Sequence, residues 1–273
     1  MQNATIKKYQ PYEKRHLLPG AMPFVVGAIL YGTVLVTILP DSYRLAVLSA
    51  AFVVAVAAAA ALSALSASYQ RHQIAVWRIV LAPTLLVSGA FLFHLLVGST
   101  LARFSAVTVV MLLLIGFVMR LDALTTGKAE AVEQAITYNR LISLAGIFSL
   151  AVFSFGIRQF VQLPAWLAAV TLGSLMFIVA YEASLQAESD VLRRQRIFSS
   201  LATGLLGAEL YVGLTFLPTP FMVNAVALLV GFFAIVRASV RILRGDAGTK
   251  ELRVGLAVAA ALVVLVLATA RWN

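Results

Sequence analysis

The chain has 273 residues, of which 62% are hydrophobic and only 12% charged, with 21 Lys and Arg against 11 Asp and Glu. A soluble domain is about 45–50% apolar and about 25% charged, so this composition excludes a water-soluble enzyme, a disordered chain, a coiled coil and a collagen-like rod, and leaves a polytopic membrane protein. There is no cysteine, which removes disulfide frameworks, Cys-type zinc sites and thiol catalysis. The net charge of +10 lies in short connections between apolar segments rather than on a folded basic surface, so nucleic acid is not an expected partner.

A helix needs roughly 20 mostly apolar residues to cross about 30 Å of hydrocarbon. Nine segments qualify or come close: Pro23–Leu39, Leu45–Ser66, Ile79–Val97, Ser105–Met119, Leu141–Ile157, Ala165–Tyr181, Ser199–Leu217, Phe221–Val236 and Val254–Ala270. In lipid every backbone N–H and C=O must find an internal partner, which long apolar runs do as helices. The ten-residue alternation of barrel strands is missing. The expected fold is therefore an all-α transmembrane bundle of about nine helices, arranged as successive hairpins in a single membrane domain over residues 1–273. Residues 1–20 form a basic N-terminal segment, and 121–139 and 183–196 are the longer cytoplasmic connections. The first apolar run lacks an Ala-x-Ala cleavage signal and reads as a retained helix.

The order of charges sets the orientation. Lys7, Lys8, Lys14, Arg15, Arg71, Arg78, Arg120, Lys128, Arg140, Arg193, Arg194, Arg196, Arg237, Arg241, Arg244, Lys250 and Arg253 fall on one side of a nine-crossing chain. Only Arg44, Arg103, Arg158 and Arg271 fall on the other. By the positive-inside rule the N-terminus is cytoplasmic and the C-terminus outside. An eight-helix alternative would leave Arg237 to Arg253 beside an end with no returning helix. A bacterial inner membrane is the expected location, from the short loops and the lack of glycosylation-rich outer segments.

The outer connections are tight, and Leu217-Pro218-Thr219-Pro220 is the clearest, since two prolines stop one helix and start the next. Within 121–139, Ala129, Val132 and Ile136 share a face, which predicts a weakly amphipathic helix in the headgroup region. Arg78, Arg140, Arg196 and Arg253 recur at intervals of 56 to 62 residues. Two crossings with their loops produce that interval unaided, so it reads as spacing rather than as descent.

Ionisable groups at bilayer depth are functional candidates. Glu209 lies 13 residues beyond Arg196, about 19 Å along a helix at 1.5 Å per residue. Ser200, Gly204, Gly207 and Tyr211 occupy one face of that helix and should admit a close neighbour. Glu209 occupies the opposite face with Leu205, Val212 and Phe216. It is either a proton- or cation-binding carboxyl, an anchor for a partner subunit, or a protonated group hydrogen-bonded locally. His94 shares a stripe with Pro83, Val87 and Phe91 in the outer half and reads as a satisfied polar side chain, because a metal site needs several ligands. Asn224 and Tyr211, with Tyr31, Thr37 and Thr215, add hydrogen-bonding groups. Glu182, Arg120 and Arg237 belong at the cytoplasmic boundary, where they snorkel or pair. Trp77, Trp166 and Trp272 suit interfacial belts. The alanine-rich run Ala51–Ala67 is expected near the bundle centre.

No reactive constellation emerges. All five lysines lie outside the apolar segments, which excludes a retinal Schiff base. A single histidine at depth does not support bis-histidine haem ligation. His-Glu-x-x-His, Gly-x-Ser-x-Gly and phosphate-loop motifs do not occur. No catalytic residue, cofactor or metal is assigned. The first reading is a non-catalytic membrane subunit or scaffold that packs against other membrane subunits or itself. A transporter or lipid-handling module using Glu209 is second, with Asn224, Tyr211 or His94 as accessory groups, and a membrane enzyme is third. A reporter fused at Asn273 should report the outside; a cytoplasmic signal there would remove the ninth crossing.

Overall fold

The structure, a computed structural model, describes residues 17–36, 41–69, 76–124, 129–161, 163–185, 191–246 and 249–269. Among these residues the chain is all-helical, with no strand. The helices are α1 (Leu17–Leu35), α2 (Asp41–Tyr69), α3 (Val76–Leu96), α4 (Thr100–Leu124), α5 (Ala129–Phe160), α6 (Ala165–Ser184), α7 (Arg193–Thr215), α8 (Phe221–Leu243) and α9 (Lys250–Thr269). Eight of them, α2 to α9, are long and apolar enough to cross a membrane, and α1 contributes a shorter apolar stretch, Gly20–Leu35. Thr37, Trp272, His16, His72, Lys128, Glu188 and Asp190 lie outside the described residues.

The helices expose large apolar side chains all along their length, among them Phe24, Val53, Leu112, Val170, Leu205 and Val264. Such a surface is stable in hydrocarbon and not in water, so the molecule is a polytopic membrane protein. Helix α3 is buried on several sides, with Leu85, Leu86 and Val87 all covered, whereas the outer helices bury one stripe. In α1 the stripe is Met22, Val26, Leu30 and Thr33; in α4 it is Val107, Val110, Leu114, Phe117 and Leu121. These three- and four-residue steps mark one face of a helix. Side-chain hydroxyls on the spanning helices return to the preceding turn, as Thr203 Oγ1 does to the Ser199 carbonyl and Ser149 Oγ to the Ala145 carbonyl, both at 2.9 Å. Such bonds keep the hydroxyls paired in an environment without water.

Contacts group the helices in two fours. Helices α1 to α4 touch in a ring, α1 on α2, α2 on α3, α3 on α4 and α4 back on α1, around one apolar cluster. Helices α5 to α8 form a second ring, closed by α5 on α8, around another. The most extensive helix pair, α3 on α5, joins the two rings. Its members are not sequential hairpin partners. α9 lies outside, packed on α8.

The joining pair depends on glycine. A Cβ placed on Gly89 would stand 2.6 Å from the Gly146 carbonyl oxygen, and one on Gly146 would stand 2.7 Å from the Leu85 carbonyl carbon. Backbone therefore lies against backbone, the close approach that small residues allow between membrane helices. A second pair, α6 on α7, is built likewise: a Cβ on Gly204 would meet the Gly173 carbonyl oxygen at 2.7 Å. The face of α7 carrying Ser200, Gly204, Gly207 and Tyr211 is buried, as its sequence predicts.

Two expectations change. The 121–139 stretch is not a separate interfacial helix: residues 121–124 end α4, and 129–139 are the first turns of the 32-residue helix α5. Ala135 and Ile142, two turns apart, bury into the same cluster, so the amphipathic face continues into the bundle instead of turning onto the membrane surface. The alanine-rich helix α2 is peripheral, with only 11% of its apolar window buried. Ala55, Ala59 and Ser63, spaced by four, are its buried residues, while Val53 and Val54 face outward. Small side chains allow closeness on one stripe but do not demand it all round.

Gly146→Leu should destabilise the purified protein by about 1–3 kcal/mol, the usual cost of overpacking, read as a fall in Tm in detergent. Gly213→Ala is the control, since a Cβ there meets nothing within 4 Å. Equal Tm values for the two variants would contradict the backbone contact.

Candidate functional site

The four side chains that the sequence singles out do not converge. His94 is buried on α3, facing α1, with Nε2 3.5 Å from Thr33 Oγ1; among the described residues its Nδ1 has no hydrogen-bond partner. Asn224 sits in the first turn of α8, where its side-chain oxygen accepts a hydrogen bond from Thr219 Oγ1 and its backbone N–H donates to the Pro220 carbonyl at 3.2 Å. It secures the Pro218–Pro220 corner. Tyr211 is fully buried in the second ring, its hydroxyl donating to the Ser154 carbonyl at 3.3 Å and its ring 4.5 Å from that of Phe155. Glu209 is exposed on the outer face of α7, between the exposed Leu205 and the exposed Phe216. Each of the three buried groups is held within its own neighbourhood, and the carboxylate points away from all of them.

A different polar cluster does assemble, at the end of the bundle where α3 and α5 approach the end of α6. Arg78 Nη2 and Nε donate to the same Glu182 oxygen at 2.9 and 3.2 Å, with side chains 14% and 3% exposed. Asn139 Nδ2 donates to the Arg78 carbonyl at 3.2 Å, and Arg140 Nη2 reaches the Ala183 carbonyl at 3.5 Å. One position before Arg78, the Trp77 ring stacks on Tyr181 with centroids 6.2 Å apart. Two consecutive residues of α3 thus engage two consecutive residues of α6 directly.

Helix dipoles explain why the pair is placed there. The N-terminus of a helix carries partial positive charge and the C-terminus partial negative charge. Arg78, in the first turn of α3, and Glu182, in the last turn of α6, each stand at the unfavourable end of their own helix. Each is at the favourable end of the other's. Arg140 adds a second cation beside the α6 C-terminus and accounts for one of its free carbonyls. A cavity of about 20 Å³, lined in part by Arg78, Asn139 and Glu182, adjoins the pair and is the size of one water molecule. This cluster can hold charge in a fixed geometry and join the two rings.

A scan of protein-family models and searches of curated proteins and of solved structures found no match. The reading of the chain therefore rests on its own geometry.

The sequence places Glu182 at the membrane boundary in need of a partner, but the identity of that partner, 104 residues earlier, follows only from the way α3 and α6 meet. Arg120, also expected at that boundary, donates to the Gln134 side chain of α5. Arg237 is exposed on α8.

Removing one member of a buried ion pair leaves the other uncompensated and costs about 3–5 kcal/mol, whereas replacing both with apolar groups is far milder. Arg78→Leu and Glu182→Leu should therefore each lower Tm more than the double variant does. Additive single effects would show that the two side chains act independently.

Proposed function

We propose that this protein is a non-catalytic membrane-embedded subunit that docks, through the outer face of α7, against a partner membrane chain or a second copy of itself. One observation carries the reading: Glu209 stands exposed on that face, six residues, or about 9 Å, from the end of α7. An ionisable side chain within the bilayer costs on the order of 3 kcal/mol and normally faces a bundle interior or a cavity. In the isolated chain Glu209 does neither. Leu201, Leu205, Leu206 and Phe216 flank it with exposed apolar surface. A neighbouring helix bearing a hydrogen-bond donor would complete this face by removing the carboxyl from lipid and covering the apolar residues around it.

The tight interior supports the same reading. The two apolar clusters are filled by large side chains, among them Leu86, Phe117, Ile147 and Phe232, which is how a packing element is built rather than a water-filled path. The nine-crossing topology, with the Arg78–Glu182 end in the cytoplasm and the C-terminus outside, follows from the distribution of Lys and Arg. A bacterial plasma membrane is the location proposed with it.

Glu209→Leu tests the proposal. In mild detergent or native nanodiscs the wild-type chain should run as an assembly and the variant as a folded monomer of equal or higher Tm. Crosslinking from a photoreactive residue at Leu205 should capture the neighbour in the wild type only. A wild-type chain that is monomeric in nanodiscs, with a crosslink to lipid alone, would overturn docking. A substrate flux abolished by Glu209→Gln would replace it with transport.

A further inference from the structure

Between α8 and α9 runs a groove of about 740 Å³ with Leu144 of α5 also in its wall. Its composition changes along its length. One end carries Arg237, Lys250 and Glu251; beyond them every wall residue is apolar, from Val254 and Leu256 to Phe233, Ala259 and Leu262. At the charged end Arg241 Nη2 takes up Glu251 at 2.9 Å. Among the described residues the side chains of Arg237 and Lys250 form no ion pair or hydrogen bond, so the mouth offers two uncommitted cations. The groove is open over Gly255, where a Cβ would meet nothing within 4 Å. It closes where Val263 and Leu267 of α9 come back onto the second cluster.

We propose that this groove seats one anionic glycerophospholipid, its phosphate held by Arg237 and Lys250 and its acyl chains lying between α8 and α9. Length supports the assignment. From Lys250 to Leu262 is 12 residues, about 18 Å of helix, close to the roughly 15 Å of hydrocarbon in one leaflet of a 30 Å core. Cations at one end and only apolar walls below match a phospholipid in order as well as in extent. Charge selects the headgroup: two basic side chains at a membrane surface favour an anionic lipid by about 30-fold over a zwitterionic one. The inference concerns α8 and α9 and is independent of docking at α7.

The probe is phosphatidylglycerol against phosphatidylcholine of the same acyl chains, added to the delipidated full-length protein. Bound lipid is counted by native mass spectrometry and Tm is followed in parallel. We expect one phosphatidylglycerol retained per chain with a raised Tm, and phosphatidylcholine bound about 30-fold more weakly. Arg237→Gln with Lys250→Gln should erase that preference without unfolding the protein, since both side chains are exposed. Ala259→Trp should fill the groove and exclude both lipids, and Gly255→Leu provides the same test if the tryptophan variant does not fold. Equal retention of the two lipids by the wild type would overturn the proposal. So would a phosphatidylglycerol preference that survives the double Gln variant, or an Ala259→Trp variant whose only change is dissociation of a dimer.

Discussion

Two helices in lipid gain little from simply touching, because the acyl chains they displace are as apolar as leucine. Association must come from contacts that lipid cannot make. In this molecule the decisive one is the crossing of α3 and α5 at Gly89 and Gly146, where two backbones meet without intervening side chains. The two four-helix rings share no other interface of that extent. With α3 and α5 locked, the N-terminal turn of α3 arrives beside the C-terminal turn of α6, and the Arg78–Glu182 pair can form. The glycine contact thus sets the geometry, and the ion pair exploits it.

That ordering also accounts for how polar groups are treated throughout the bundle. Many hydroxyls bond within their own helix, Thr203 also meets Ser239 of α8 at 2.7 Å, Asn224 secures a corner, and Tyr211 reaches a carbonyl on the neighbouring helix. Pro83 leaves α3 without one backbone bond, and Thr84 Oγ1, beside it, bonds the Val80 and Leu81 carbonyls at 2.8 Å. The turn between α8 and α9 is equally local. Gly245, at φ 83°, lets its own N–H and that of Asp246 return to the Ile242 and Arg241 carbonyls, closing α8 with the left-handed cap that glycine favours.

Class and segment positions were legible in the sequence because hydrocarbon imposes a length and a polarity on every crossing. The corner at Leu217–Pro220 and the packed face of α7 were legible too, since proline chemistry and three-and-four spacing are local. What the sequence hid was pairing between helices. Nothing near Gly89 or Gly146 announces that these two glycines meet rather than face lipid, and the alanines of α2 suggested a centrality that most of them lack. The same limit applies to the polar groups. Glu209 was recognisable as unusual from its depth and helical face, whereas the Arg78–Glu182 cluster joins residues that become neighbours only after six helices are arranged.

The last helix illustrates a separate consequence of this mode of construction. α9 has a mere 6% of its apolar window buried, and it is tied at its first turn by Glu251 to Arg241. A rod held by that pair at one end and by Val263 and Leu267 near the other, and wetted elsewhere by acyl chains, feels the thickness of the surrounding bilayer along most of its surface. Hydrophobic mismatch would therefore be absorbed at α9 sooner than in the two closed rings.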